Sequence, residues 1–112
     1  MQPQDPATEP DIATDKEGYL LHFDAWNEAL AERLAARESI ALTDAHWQVL
    51  HLLRAFYREF EQSPAMRPLV KYVAQHLGAD KGNSIYLLKL FPGSPAKIAA
   101  RLAGLPRPEH CL

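Results

Sequence analysis

The run AHWQVLHLLRAFYREFE, residues 45–61, constrains this chain more than any other stretch. Trp47, Leu50, Leu53, Phe56, Tyr57 and Phe60 recur at helical spacing, which predicts a long amphipathic helix over roughly 44–62 with that stripe turned inward. Thr43 precedes it as an N-cap with Asp44 in the first turn, and Ser63-Pro64 stops it. A helix with so broad an apolar face cannot stand alone in water. It needs other helices against it, so a mostly α bundle is expected.

The rest of the chain supplies partners. Trp26, Leu30 and Leu34 predict a helix over about 25–37. Leu69, Val70, Val73 and Leu77 predict another from Ala65 to a C-cap at Gly78. Residues 83–91, NSIYLLKLF, read as a short apolar helix ended by Pro92-Gly93. Ser94-Pro95 opens a last helix that carries Ile98 and Leu102 and ends at Gly104. Before the helices, DIATDKEGYLLHF places Asp15 and Gly18 between two apolar stretches, which predicts a β-hairpin near 11–23. Residues 1–10, with three prolines, read as a disordered leader. The tail LPRPEHCL, with Pro106 and Pro108, predicts an extended arm over 105–112, leaving one domain over 11–104. The expectation is a small orthogonal helical bundle with an N-terminal hairpin and a mobile C-terminal arm.

A chain of 112 residues has room for one core, and 47% hydrophobic residues suffice to fill it. No apolar run is long enough to cross a bilayer, and the acidic, Pro-rich start MQPQDPATEPD does not resemble a secretory signal. One cysteine excludes an internal disulfide and fits a reducing compartment, so a cytoplasmic protein with no membrane partner is expected. The charge is uneven. Residues 1–63 carry five Lys/Arg against twelve Asp/Glu, a sum of −7, whereas residues 64–112 carry seven against two, a sum of +5. Such a field can orient a charged partner, although a merely solvated surface accounts for it equally well.

The residue best placed for chemistry is Cys111. A lone cysteine is more often a small buried hydrophobe, but one position from the C-terminus, after two prolines, it has no core to enter. A thiol on an extended arm can be carried into another protein's active site. Arg107 and His110 would favour its thiolate, while Glu109 and the terminal carboxylate oppose it. The histidines do not form a metal site by spacing: His46 and His51 are five apart, and neither CxxC nor HExxH occurs. Glu59 and Glu61 point apart on their helix, and no Gly-rich phosphate loop is present. No metal and no cofactor are therefore expected. The basic half offers Arg67, Lys71, Lys81, Lys89, Lys97 and Arg101, read either as a solvated face or as a docking surface for an acidic protein or RNA. Lys97 and Arg101, four apart on the last helix, share one face at the root of the arm.

Taken in order, the motifs Gly18-Tyr19-Leu20, Leu42-Thr43 with His46-Trp47, Arg54 with Phe56-Tyr57 and Phe60, and Ser63-Pro64 with Arg67 resemble the TusE/DsrC family. The resemblance continues through Gly82-Asn83-Ser84 with Tyr86-Leu87, Leu90-Phe91-Pro92, Pro95-Ala96-Lys97, and Ala103-Gly104-Leu105-Pro106 with Pro108 and Cys111. It covers about residues 11–112. The resemblance implies a persulfide carried on Cys111. It also separates two branches: the one associated with sulfite reductase has a second cysteine eleven positions earlier, where this chain has Ala100. The single-cysteine branch implies a relay for 2-thiolation of the tRNA wobble uridine, with a TusBCD-type donor complex and the tRNA thiolase MnmA as partners. This sequence departs from the family at Ser39, where Gly commonly precedes Ile, at Ser94, where Gly often precedes Pro-Ala-Lys, and at His110.

The expected function is therefore a persulfide carrier, a sulfurtransferase by stoichiometric handover rather than a free-standing enzyme. Cys111 is its nucleophile, and Lys97, Arg101, Arg107 and His110 are its docking residues. Two alternatives stand beside it. One is an accessory or regulatory protein of sulfite reduction or sulfur oxidation. The other is a helix-turn-helix-like nucleic-acid regulator built from the helices around Ser63-Pro64 and Gly78, which would leave Cys111 without a task.

Overall fold

The computed structural model describes residues 12–109. A 3-10 turn at Phe23–Ala25 leads into five helices among the described residues: α1 (Glu28–Arg37), α2 (Asp44–Phe60), α3 (Met66–Leu77), α4 (Ser84–Leu90) and α5 (Pro95–Leu102). The leader expected at 1–10 and the arm's last residues, His110, Cys111 and Leu112, lie outside the described residues.

The sequence PAKIAARL explains the centre of the fold. With Ala96, Ala99 and Ala100 on its surface, α5 is narrow, and α1, α2, α3 and α4 all pack on it. Every residue of α5 except Lys97 and Arg101 is buried. Ile98 and Leu102 fill the remaining space, and Leu50, Leu53, Leu69, Val73, Leu87 and Phe91 close around them.

Local chemistry sets the helix boundaries. α1 begins three residues later than the periodicity suggests, because the Asn27 side chain accepts from the Leu30 N–H at 2.8 Å and makes Asn27 the cap. Trp26 thereby stays outside the helix. α2 begins where expected. Thr43 N–H donates to His46 Nδ1 at 3.1 Å, so the ring's proton sits on Nε2, which donates to the Leu90 carbonyl at 2.8 Å. One histidine thus ties the start of α2 to the end of α4. Asn83 caps α4 by accepting from Tyr86 N–H at 2.8 Å. Gly82 lies so close to α3 that a Cβ there would collide with the Ala74 backbone.

Two expectations are corrected. The β-hairpin near 11–23 is not formed, and no strand occurs among the described residues. A single antiparallel bridge joins Thr14 to Leu20 around a turn in which Asp15 accepts from the Glu17 and Tyr19 N–H groups at 2.9 and 3.0 Å. The ladder cannot grow, because the chain bends at Leu21 and enters the 3-10 turn. The inward stripe of α2 is also rotated. Its buried face is His46, Val49, Leu50, Leu53 and Arg54, while Phe60 is 47% exposed and Trp47, Phe56 and Tyr57 lie on the flank. Phe56 instead packs on Phe60 and on Tyr72 of α3, with ring centroids 4.6 and 5.1 Å apart.

The departure at Ser39 has a structural consequence. Its φ is 59°, in the left-handed region where a Cβ is strained and glycine is not. Ser39→Gly is expected to raise the unfolding free energy by about 0.5–1 kcal/mol, read as a higher urea midpoint at unchanged slope.

Candidate functional site

If Cys111 is the working atom, the part of the fold that matters is the place from which its arm departs. That place is the C-terminus of α5. The last carbonyls of a helix lack intrahelical donors and carry partial negative charge. Here two side chains from outside α5 satisfy them. Trp26 Nε1 donates to the Leu102 carbonyl at 2.8 Å, and Arg54 Nη1 donates to the Ala103 carbonyl at 2.9 Å.

Arg54 is the unusual member. It is 4% exposed and has no carboxylate against it among the hydrogen-bonded partners. Its Nη2 donates to the Phe23 carbonyl at 3.1 Å, and its guanidinium lies 3.8 Å from the Phe23 ring centroid and 4.3 Å from that of Trp26. Ring faces and carbonyl dipoles replace the missing counter-charge. The replacement is incomplete. Burial, reinforced by the nearby Arg58 charge and resisted by Asp24, lowers the Arg54 pKa to about 10. Its Nε is buried with no hydrogen-bond partner among the described residues. The chain accepts this cost at the point that joins α2, the 3-10 turn and the end of α5.

Gly104 follows with φ 75°, and a Cβ there would lie 2.6 Å from Trp26 Cδ1, so only glycine lets the chain turn beneath the indole. Leu105 is fully buried and its N–H donates to the Ala100 carbonyl at 2.9 Å. Ser63 Oγ donates to the Pro106 carbonyl at 2.5 Å. Pro108 is buried as well. The segment expected to leave the domain at Leu105 therefore stays packed on it through Pro108. The reason is the burial of Leu105 and Pro108, together with the bond to the Pro106 carbonyl from the Ser63 hydroxyl in the loop after α2.

The four expected docking residues fare differently. Arg107 Nη1 donates to Glu17 Oε1 at 3.4 Å, an exposed pair that contributes little energy. Arg101 is not a free cation: its Nε and Nη2 donate to the two Glu38 oxygens at 2.9 and 2.8 Å, and its Nη1 reaches the Tyr19 hydroxyl at 3.4 Å. The Glu38 hydrogen bonds raise the Arg101 pKa against the effect of burial. Lys97 is half-exposed and makes no ion pair among the described residues. His110 and Cys111 lie outside the described residues. Beside Arg101, Glu17, Gly18, Leu34, Arg37 and Glu38 line an open cleft of 390 Å³. No group of three His, Cys, Asp or Glu that could hold a metal occurs among the described residues, and no helix there is long and apolar enough to cross a membrane. His51 Nε2 lies 3.2 Å from Glu28 Oε2 and its ring packs edge-on to Trp26.

The sequence did not single out Arg54, Trp26, Ser63 or Gly104 as a group. One signal for Arg54 was available: a cation on the inward stripe, four residues after Leu50 and three before Tyr57.

The architecture is that of a small helical holder for the base of a cysteine-bearing C-terminal peptide. The chain belongs to the DsrC-like family: the family model described as DsrC like protein matches residues 7–112. Among curated relatives, the protein named sulfurtransferase TusE homolog of Haemophilus influenzae is 59% identical over 102 residues, covering 91% of this chain and 94% of the relative. The sulfurtransferase TusE of Sodalis glossinidius is 56% identical with the same coverage. Among solved structures, the DsrC of Allochromatium vinosum superposes with a TM-score of 0.82 at 44% identity, covering 90% of each chain. The oxidized gamma-subunit of the dissimilatory sulfite reductase from Archaeoglobus fulgidus gives 0.77 at 39% identity, covering 90% of this chain and 92% of that one.

Proposed function

We propose that this chain is a TusE-type sulfur carrier, working in a cytoplasmic relay that thiolates the wobble uridine of tRNA. The observation that carries the reading is the 59% identity to a TusE homolog over nearly the whole of both chains, in a sequence whose one cysteine is next to last. Identity to these TusE proteins exceeds identity to the DsrC structures, and Ala100 stands where the resemblance puts the second cysteine of the sulfite-reductase branch.

In the step proposed, the Cys111 thiolate attacks the outer sulfur of a donor persulfide. The donor's S–S bond breaks, the donor leaves as a thiolate, and Cys111 holds the sulfane sulfur as Cys–S–SH. The reverse geometry hands that sulfur to an acceptor thiol, with no net oxidation. The donor is a TusBCD-type complex and the acceptor an MnmA-type thiolase with its tRNA. The clasp of Trp26, Arg54 and Ser63 on the arm's root supports this reading, because a fixed base limits the volume that a terminal thiol must search. The direct test is reconstitution: 2-thiouridine forms in tRNA from cysteine, desulfurase, donor complex, thiolase and this protein. Omitting this protein abolishes the product if the reading holds and leaves it unchanged if it fails.

Within that reading Lys97 is the clean docking probe. Reversing Arg101 would set two carboxylates together at Glu38 and disturb the fold, so the two cations cannot be reversed as an innocuous pair. Lys97→Glu is expected to leave the melting temperature within about 2 °C. It should slow transfer to the thiolase by roughly three- to ten-fold at low salt, with the difference shrinking at high salt. Labelling of Cys111 by a small electrophile should not change.

A further inference from the structure

Among the described residues, nothing packs on one face of α4. Ile85 is 70% exposed and Leu88 42%, and Lys89 beside them is exposed. Positions i, i+3 and i+4 bring the three side chains together. This is not a slack region that happens to show its apolar residues. The opposite face is occupied by Leu87, which is fully buried. The end of the helix is tied to α2 by His46 through the Leu90 carbonyl, and its approach is fixed where Gly82 touches α3. A helix held at both ends presents two neighbouring aliphatic side chains to water, where a polar pair would cost nothing in packing.

The surrounding charge states what would cover them. From Asp80 to Glu109 the chain carries five Lys/Arg against two Asp/Glu, the two acids standing at the ends of the stretch. Arg101 is paired with Glu38, Arg107 with Glu17, and Lys81 donates to Gln48 Oε1. Lys89, on the face itself, remains without an acidic partner among the described residues. The complement of this face is therefore apolar at its centre and acidic at its rim. RNA is a poor complement, because aliphatic side chains offer no planar surface for base stacking. A second copy is also poor, because a two-fold axis on this face would oppose Lys89 to its own equivalent or its basic neighbours. α4 packs on α5, so a protein seated here stands one helix away from the root of the arm.

We propose that the outer face of α4, formed by Ile85, Leu88 and Lys89, is where the persulfide donor docks, through an apolar hollow rimmed by Asp or Glu. The inference rests on the sulfur-carrier reading and names the surface that loading uses. The donor is favoured over the acceptor because loading is protein on protein, whereas the acceptor arrives with tRNA phosphates that call for cations rather than aliphatic contacts.

The experiment compares Ile85→Ser with Leu88→Ser as a double variant, Lys89→Glu alone, and Leu21→Ser as a control at another exposed leucine, 56% exposed and outside α4. Each is loaded from a sulfur-charged TusBCD-type complex and, separately, from inorganic polysulfide, and persulfide is followed by intact mass. The double variant should load from the complex at least ten-fold more slowly and Lys89→Glu several-fold more slowly, most at low salt. Leu21→Ser and all polysulfide loading should match the wild type. If the double variant melts early, Ile85→Ser alone and Lys89→Glu carry the comparison. Wild-type loading rates from the complex in the folded variants would overturn the proposal. So would a loss confined to transfer onto the thiolase, or sedimentation showing self-association through this face. A wild type that takes sulfur from polysulfide but never from the complex would instead remove the carrier reading, a result readable apart from the variants.

Discussion

Cys111→Ser is expected to abolish sulfur acceptance while leaving the fold untouched. The chain has one thiol, so no second residue can take over. Serine keeps the size and loses the chemistry: its hydroxyl is not ionised near neutral pH and cannot exchange with a persulfide. After incubation with a charged donor, the wild type should gain about 32 Da per sulfur, removed by reductant. The variant should gain nothing over the same interval. Its melting curve should overlay the wild type's, because Leu105 and Pro108 hold the arm's root and lie before the substitution. A reducible adduct on the serine variant would mean that sulfur resides elsewhere and would end the assignment of Cys111.

Much of the helical layout was legible because it rests on local signals. Thr43 with Asp44, Gly78, Asn83 and Ser94-Pro95 mark helix ends by chemistry that acts within a turn, and those ends lie within a few residues of where they were expected. What periodicity misjudged depends on contacts far apart in the chain. Phe60 and Trp47 read as core, yet the core side of α2 was decided by the narrow alanine surface of α5, which accepts Val49, Leu50 and Leu53 and leaves the rings on the flank. Trp26 read as the first turn of a helix, but Asn27 caps that helix and frees the indole to meet a carbonyl 76 residues away. Of the proposed site, only the thiol was legible. The thiol's place next to the C-terminus is a fact of sequence, whereas the clasp on the arm's root draws on Trp26, Arg54, Ser63 and Gly104, which no local pattern joins. Arg101 shows the same limit. Its spacing from Lys97 gave the correct shared helix, but not the Glu38 carboxylate that occupies it.

Arg54 is the largest stability test the structure offers, and two substitutions separate its contributions. Its lowered pKa means that the cation is worse solvated in the fold than in the unfolded chain. The sign follows directly. Above the folded value of about 10 and below the higher, ordinary value of an arginine in the unfolded chain, the unfolded chain binds more protons, so this group's contribution to stability rises with pH there and is unfavourable throughout the neutral range. What offsets that cost is the pair of carbonyl bonds to Ala103 and Phe23 and the contact with two ring faces. Arg54→Ala loses all of these, strands two carbonyls and opens a cavity beside Trp26, so a loss of about 3 kcal/mol is expected. For a domain of this size that is a fall of about 15 °C in melting temperature. Arg54→Met keeps most of the packing volume and removes the desolvated charge together with the unpartnered Nε, so its loss should be about 1 kcal/mol. The methionine variant then becomes the functional probe. It is folded, but the Ala103 carbonyl loses the Arg54 donor, and of the three side chains that clasp the base of the arm Trp26 and Ser63 are left. Transfer from donor to acceptor should slow several-fold, while labelling of Cys111 by a small electrophile should stay at the wild-type rate. Equal losses of stability in the two variants would show that the carbonyl bonds, not the packing, carry the energy. Wild-type transfer by a folded methionine variant would show that Arg54 supports the core and does not guide the arm.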